Sequence, residues 1–163
     1  MSEKGRASKT ALKLTWIGML VFLDQTTKAV VVQKIHVGGS YPIPGMGGMI
    51  DFTLVQNTGT AFGLFPNSNL FFIILSMTII GFLGYLAFSE KHRGLAPFVF
   101  ILGGAIGNLS DRIRWGYVVD FIDVHFWPVF NVADSCITAG IAWFLLSSLM
   151  SKQWRPEGNS HQR

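Results

Sequence analysis

Residues 70–88 read LFFIILSMTIIGFLGYLAF, nineteen consecutive residues without one charged side chain. A helix needs about 20 mostly apolar residues to cross the hydrocarbon core of a bilayer, so this stretch decides the class of fold. The composition agrees with it. Of 163 residues (18.0 kDa), 50% are hydrophobic and 13% are charged, with a mean hydropathy of +0.41. An ordinary soluble domain carries about 25% charged residues, and one with so few could not keep this much apolar surface from aggregating. The same numbers exclude disorder. A disulfide scaffold and a cysteine-built zinc site are excluded because Cys136 is the single cysteine.

Three further spans flank this one. Residues 14–32 form an apolar run interrupted by Asp24 and Lys28, residues 95–111 form another that closes on Asp111 and Arg112, and residues 131–150 form the last. Lys4, Arg6, Lys9 and Lys13 precede the first run as they would in a secretory signal. No small-x-small cleavage site follows and the apolar stretch continues past Lys28, which predicts a retained span. The expectation is one integral membrane domain over residues 1–163, mainly α, with four transmembrane helices and a disordered polar tail at 151–163.

Lys and Arg in the short flanks orient the spans. Lys4, Arg6, Lys9, Lys13, Lys91, Arg93, Lys152, Arg155 and Arg163 are nine of the thirteen basic residues, and this topology gathers them on one face. That face is predicted to be cytoplasmic, with both termini on it. The pI near 9.5 is therefore a topology signal and gives no reason to expect nucleic acid.

The opposite face holds two long connections. Residues 33–69 are rich in Gly and Pro, too long for a simple hairpin, and long loops of this kind are often functional. Ile50, Phe52 and Leu54 alternate with Asp51, Thr53 and Val55, which predicts a short strand. Thr60 to Phe65 (TAFGLF) suits a short helix lying in the interface. In the second connection, residues 113–130, Trp115, Tyr117, Phe126 and Trp127 suit an aromatic belt at the headgroup level. The expected architecture is a small extracytoplasmic β-containing platform on four helices.

A carboxylate at membrane depth costs roughly 2.5–3.5 kcal/mol even on lenient scales and is a functional candidate by default. All six aspartates (Asp24, Asp51, Asp111, Asp120, Asp123, Asp134) fall in or beside the outer half, while Glu3, Glu90 and Glu157 fall on the cytoplasmic side. Asp120 sits among Tyr117, Val118, Val119, Phe121 and Ile122, and Asp134 in the first turn of the fourth span. The thirteen residues between them, with Pro128, can fold back to bring the two together. Two carboxylates sharing a dry site hold one proton between them, which is what an aspartic hydrolase needs to activate water and polarise a scissile carbonyl. Spacing alone leaves a structural alternative open. Asn131-x-x-Asp134 also reads as an N-cap with an acid at N3, and Asp120 could close a turn.

Other polar residues carry two readings each. Asn108, Asp111 and Arg112 share a helix face, so Arg112 either anchors the interface beside Asp111 or binds a carbonyl, carboxylate or headgroup. Asp24 and Lys28 stand at i and i+4, a structural ion pair with the lysine snorkelling outward, or the relay of a small proton-coupled transporter. Asn57 either makes a turn with Thr58 and Gly59 or reaches a substrate backbone. Gly103 and Gly107 form a small-residue face for helix packing, as does Cys136. The four histidines (His36, His92, His125, His161) form no His-Glu-x-x-His, and no Gly-x-Ser-x-Gly occurs, so neither a metalloprotease nor a serine hydrolase is indicated.

Five segments occur in order: DQTTK from Asp24 to Lys28, NTGTAF from Asn57 to Phe62, GGAIGNLSDR from Gly103 to Arg112, GYVVDF from Gly116 to Phe121, and FNVADS from Phe130 to Ser135. The set resembles the prolipoprotein signal peptidase (signal peptidase II) family over about residues 14–150. The resemblance implies an inner-membrane aspartic endopeptidase of bacteria that removes the signal peptide of diacylglyceryl-modified prolipoproteins, cutting just before the lipidated cysteine. By position, Asp120 and Asp134 match its catalytic aspartates. Asn57, Asn108, Arg112 and Asn131 match residues that line the site and contact substrate or globomycin-type inhibitors. Asp24, Lys28, Gly59 and Asp111 match supporting positions. Prolipoproteins and membrane lipid are the implied partners, and no metal or cofactor is implied.

Overall fold

The computed structural model describes residues 3–46, 48–59, 69–89 and 96–153, the last three without their side chains. Four helices and three strands follow in the order α1 (Glu3–Lys34), β1 (Ser40–Pro42), β2 (Asp51–Asn57), α2 (Asn69–Phe88), α3 (Ala96–Trp115), β3 (Val118–Asp123) and α4 (Val132–Gln153). The fold is therefore mainly helical with one small sheet, as the apolar runs predict. The expected interfacial helix at Thr60 to Phe65, the basic pair Lys91 and Arg93, and most of the polar tail lie outside the described residues.

Two of the four helices, Asn69–Phe88 and Val132–Met150 of α4, are long and apolar enough to cross a membrane on their own, with mean hydropathies of 2.3 and 1.5. The other two carry the charges that dilute them. In α1 these are Asp24 and Lys28 together with the basic N-terminal turns, and in α3 Asp111, Arg112 and Arg114. Moreover, α1 begins at Glu3, well before the apolar run at residue 14, and its 32 residues span about 48 Å. Ala7, Lys9, Ala11, Leu12 and Lys13 are strong helix formers, so the basic segment continues the helix.

The centre of the molecule is α3, which contacts α1, α2 and α4. Its glycines make this possible. A Cβ at Gly103 would lie 2.8 Å from Leu20 of α1, and one at Gly104 would collide with the Ala133 carbonyl of α4. An apolar cluster of Ile17, Ala87, Phe98, Val99, Ile101 and Leu102 fills the lower part of this packing. A second cluster, Val31, Leu54, Val119 and Phe121, seats the sheet on the end of α1. Between the two lies a band of buried polar side chains: Asp24, Lys28, Asn108, Asp111, Asp120 and Asn131.

The sheet is antiparallel throughout, in the order β1-β2-β3. The strand predicted around Phe52 and Leu54 is β2. Strand β3 corrects the reading of Asp120 as a turn residue, because Asp120 lies inside it, opposite Val55. Aspartate is depleted in strands, so local propensity hides this element, and pairing with β2 overrides it.

Candidate active site

Two devices bring Asp120 and Asp134 to one place. After β3 the chain reverses and Phe130 pairs back onto Ile122, its N–H donating to the Ile122 carbonyl at 3.0 Å. The next residue, Asn131, therefore arrives beside Asp120 and also starts α4. The Asn131 Oδ1 accepts from the Asp134 N–H at 2.9 Å, and the Asn131 N–H donates to Asp134 Oδ2 at 3.2 Å. This is a reciprocal cap, so the capping reading of Asn131-x-x-Asp134 is correct, and the cap itself delivers Asp134 to the site.

Three asparagines surround the carboxylates, and the amide of each is oriented by a neighbouring donor. Asn57 Oδ1 accepts from the Gly59 N–H at 2.9 Å, so its Nδ2 faces Asp120 Oδ2 at 2.8 Å. With its own Oδ1 on the Asp134 N–H, Asn131 presents Nδ2 to Asp120 Oδ1 at 2.7 Å. Asn108 Oδ1 accepts from Lys28 Nζ at 3.0 Å, and its Nδ2 reaches Asp134 Oδ1 at 2.8 Å. An ammonium and a backbone N–H can only donate, so none of these amides can turn round without setting donor against donor. The link is completed where Asn131 Nδ2 donates to Asn108 Oδ1 at 3.0 Å. The two acids are thus joined through Asn131 and Asn108.

Exposure separates the roles. Asp120 is 2% exposed and Asn131 0%, while Asn57, Arg112 and Asp134 are half-buried. Burial pushes the Asp120 carboxyl up to about 6, helped by the charge of Asp134 and opposed by the Asn57 and Asn131 donors and by Lys28. Arg112 stands in the last turn of α3, where its charge acts on Asp134, Asp120 and Asp111. Its guanidinium lies 5.2 Å from the centroid of the Phe72 ring and makes no ion pair with an acid among the described residues.

Behind the acids, Lys28 is 3% exposed and does not snorkel. Its Nζ meets Asp24 Oδ2 and Asp111 Oδ2 at 2.8 Å each, besides Asn108. Three donors facing three acceptors make a buried ammonium tolerable. Lys28 is thus enclosed as a structural ion pair, and the transporter reading of Asp24 and Lys28 is not favoured. Asp24 Oδ1 also accepts the Ala133 N–H at 3.0 Å, capping α4 from α1, and Asp111 Oδ2 accepts the Val119 N–H at 3.2 Å. A Cβ at Gly107 would lie 2.6 Å from Asp24 Oδ2, so this glycine makes room for the carboxylate as well as for a helix.

Residue-by-residue reasoning from the sequence does not single out Gln25, whose Nε2 donates to Asp111 Oδ1 at 2.8 Å and to the Gly107 carbonyl at 3.2 Å. A glutamine beside Asp24 in an apolar run is the signal available for it. Phe72, in the uncharged span, offers no such signal.

Residues 16–150 match the family described as signal peptidase (SPase) II. The chain is 41% identical to the lipoprotein signal peptidase of Halothermothrix orenii over 130 residues, covering 78% of this chain and 88% of that one. It is 47% identical to the lipoprotein signal peptidase of Caldicellulosiruptor bescii over 132 residues, covering 80% and 85%. A solved bacterial membrane enzyme superposes with a TM-score of 0.81 at 26% identity, covering 93% of this chain and 95% of that one. A second such enzyme gives 0.77 at 27%, covering 85% and 93%.

Proposed function

The chain belongs to the signal peptidase II family, a family of bacterial membrane proteases, and from that premise we propose that it is an aspartic endopeptidase acting on diacylglyceryl-modified prolipoproteins. It removes the signal peptide by cutting before the lipidated cysteine. The observation that carries the catalytic reading is the bridge Asp120–Asn131–Asn108–Asp134, which holds two acids in one network with one buried and the other half-exposed.

The buried Asp120, with its carboxyl pushed up to about 6, holds the shared proton, and Asp134 is the base. Asp134 takes a proton from water as the water oxygen bonds to the scissile carbonyl carbon, and Asp120 gives its proton to the carbonyl oxygen. The resulting gem-diol collapses as Asp134 passes its proton to the leaving nitrogen. The C–N bond breaks, and one diol proton returns to Asp120. Asn108 and Asn131, which the resemblance places among the substrate contacts, are buried behind the acids and are assigned instead to positioning them. Asn57 and Arg112, which reach the surface, are the groups that meet the substrate, and Gly59, Asp24, Lys28 and Asp111 support the frame. Globomycin-type peptides are expected to compete at the same place.

All four helices span the membrane in this reading. In α1 and α3 the buried Asp24, Lys28 and Asp111 turn inward to one another, which leaves apolar side chains for lipid. Both termini are cytoplasmic and the acids lie near the extracytoplasmic face, in keeping with nine basic residues at the opposite side. Purified protein in detergent, given a lipidated precursor and the same precursor without its diacylglyceryl group, tests the substrate assignment. Cleavage of the lipidated form alone is expected. Equal cleavage of both, or of neither, contradicts it.

A further inference from the structure

Arg112 poses a physical problem. A flexible cation beside two acids should fall onto one of them, since bidentate guanidinium–carboxylate pairs are among the strongest polar contacts available. That collapse would occupy the donors meant for substrate and the carboxylate oxygens that must exchange protons with water and the scissile carbonyl. Yet among the described residues Arg112 pairs with neither acid. Phe72 of α2 is what holds it. The guanidinium lies over the ring at 5.2 Å from the centroid, within cation–π range. Asn69, one turn earlier, donates its Nδ2 to the Arg112 carbonyl at 3.2 Å, fixing the backbone from the same helix.

The same ring serves the other acid. Its Cδ2–Cε2 edge packs on Gly59, where a Cβ would collide with both atoms and where φ is +94°, a backbone that favours glycine. The Gly59 N–H is what orients the Asn57 amide toward Asp120. One half-buried aromatic side chain therefore touches both Arg112 and the glycine that aims Asn57.

We propose that Phe72 is a positioning residue of the cleavage reaction, holding Arg112 at a stand-off from Asp120 and Asp134 while bracing the Gly59 turn that aims Asn57. This rests on the reading of the two aspartates as the reacting acids. It makes α2, otherwise mostly exposed, a contributor to the site.

The test uses full-length Phe72→Leu and Phe72→Met, two variants that keep apolar bulk and lose the ring, so that one suffices if the other does not fold. Thermal unfolding, kcat, KM and pH profiles are measured on a lipidated precursor. We expect kcat/KM to fall roughly 5- to 30-fold, the size of a partly desolvated cation–π contact. The limb set by Asp120 should move to lower pH, because a cation reaching that acid favours its charged form. Phe72→Tyr should restore both, and in an Arg112→Gln background Phe72→Leu should no longer move the profile. A purely structural Phe72 would lower the unfolding temperature and leave the pH limbs in place. Wild-type kcat/KM and limbs in the Leu and Met variants, with Asp120→Asn and Asp134→Asn inactive, overturn the role of Phe72 alone. Active aspartate variants overturn the reading beneath it.

Discussion

An asparagine amide has two faces of similar shape, and at this site each is fixed by a neighbour that can only donate. Lys28 Nζ holds Asn108, the Asp134 N–H holds Asn131 and the Gly59 N–H holds Asn57, so all three offer an NH2 group to a carboxylate. At Asp120 the Asn57 and Asn131 donors favour the charged form and burial opposes them, and burial wins. Asn57→Ala removes one donor from Asp120 Oδ2 and leaves burial less opposed, so the titration of Asp120 should move above its present value of about 6. Because Asp120 is the proton-bearing partner in this mechanism, the alkaline limb of the kcat profile should move to higher pH. A limb that stays in place or moves down contradicts the assignment of the proton to Asp120. At this scale much was legible in the sequence. Aspartates in an apolar chain announce themselves by their cost, and the two that the five ordered segments point to, Asp120 and Asp134, are brought into one hydrogen-bond network. The inward roles of Asn108 and Asn131 were not legible, since an amide's orientation depends on partners brought from other elements.

Among the helices, α3 and α4 pack most extensively, and the position of Asp134 depends on it. Gly104 lies against the Ala133 carbonyl and Ile137, so an alanine there would meet backbone that cannot yield as a flexible side chain would. Gly104→Ala is expected to destabilise by about 1–3 kcal/mol, the usual cost of overpacking, read as a lowered unfolding temperature. It should also reduce kcat, because the start of α4 carries Asn131 and Asp134. Wild-type stability and activity together would contradict the described packing. The helices themselves were readable from their apolar runs and β2 from its alternation. The basic N-terminal turns of α1 were not, because the membrane argument looks for apolar length while helix propensity continues through Ala and Lys. Nor was β3, in which an aspartate sits where strands rarely keep one and which forms because β2 pairs with it.

At the scale of the whole molecule, the few charges are sorted by kind. In the proposed topology nine basic residues flank the spans on one side, and the six aspartates, with Lys28 enclosed among them, fall toward the other. Two apolar clusters clamp the buried polar band of Asp24, Lys28, Asn108, Asp111, Asp120 and Asn131 between helices and sheet. The central claim is that Asp120 and Asp134 act as a pair on water and the scissile bond. It is tested most directly by the kcat of Asp120→Asn, Asp134→Asn and the double variant on a lipidated precursor, each beside its thermal unfolding curve. The expected result is a loss of roughly 10²–10⁴-fold or more in each single variant with the fold retained, and little further loss in the double variant, as for groups that act as a unit. Cleavage at the wild-type rate by either folded single variant would contradict the account.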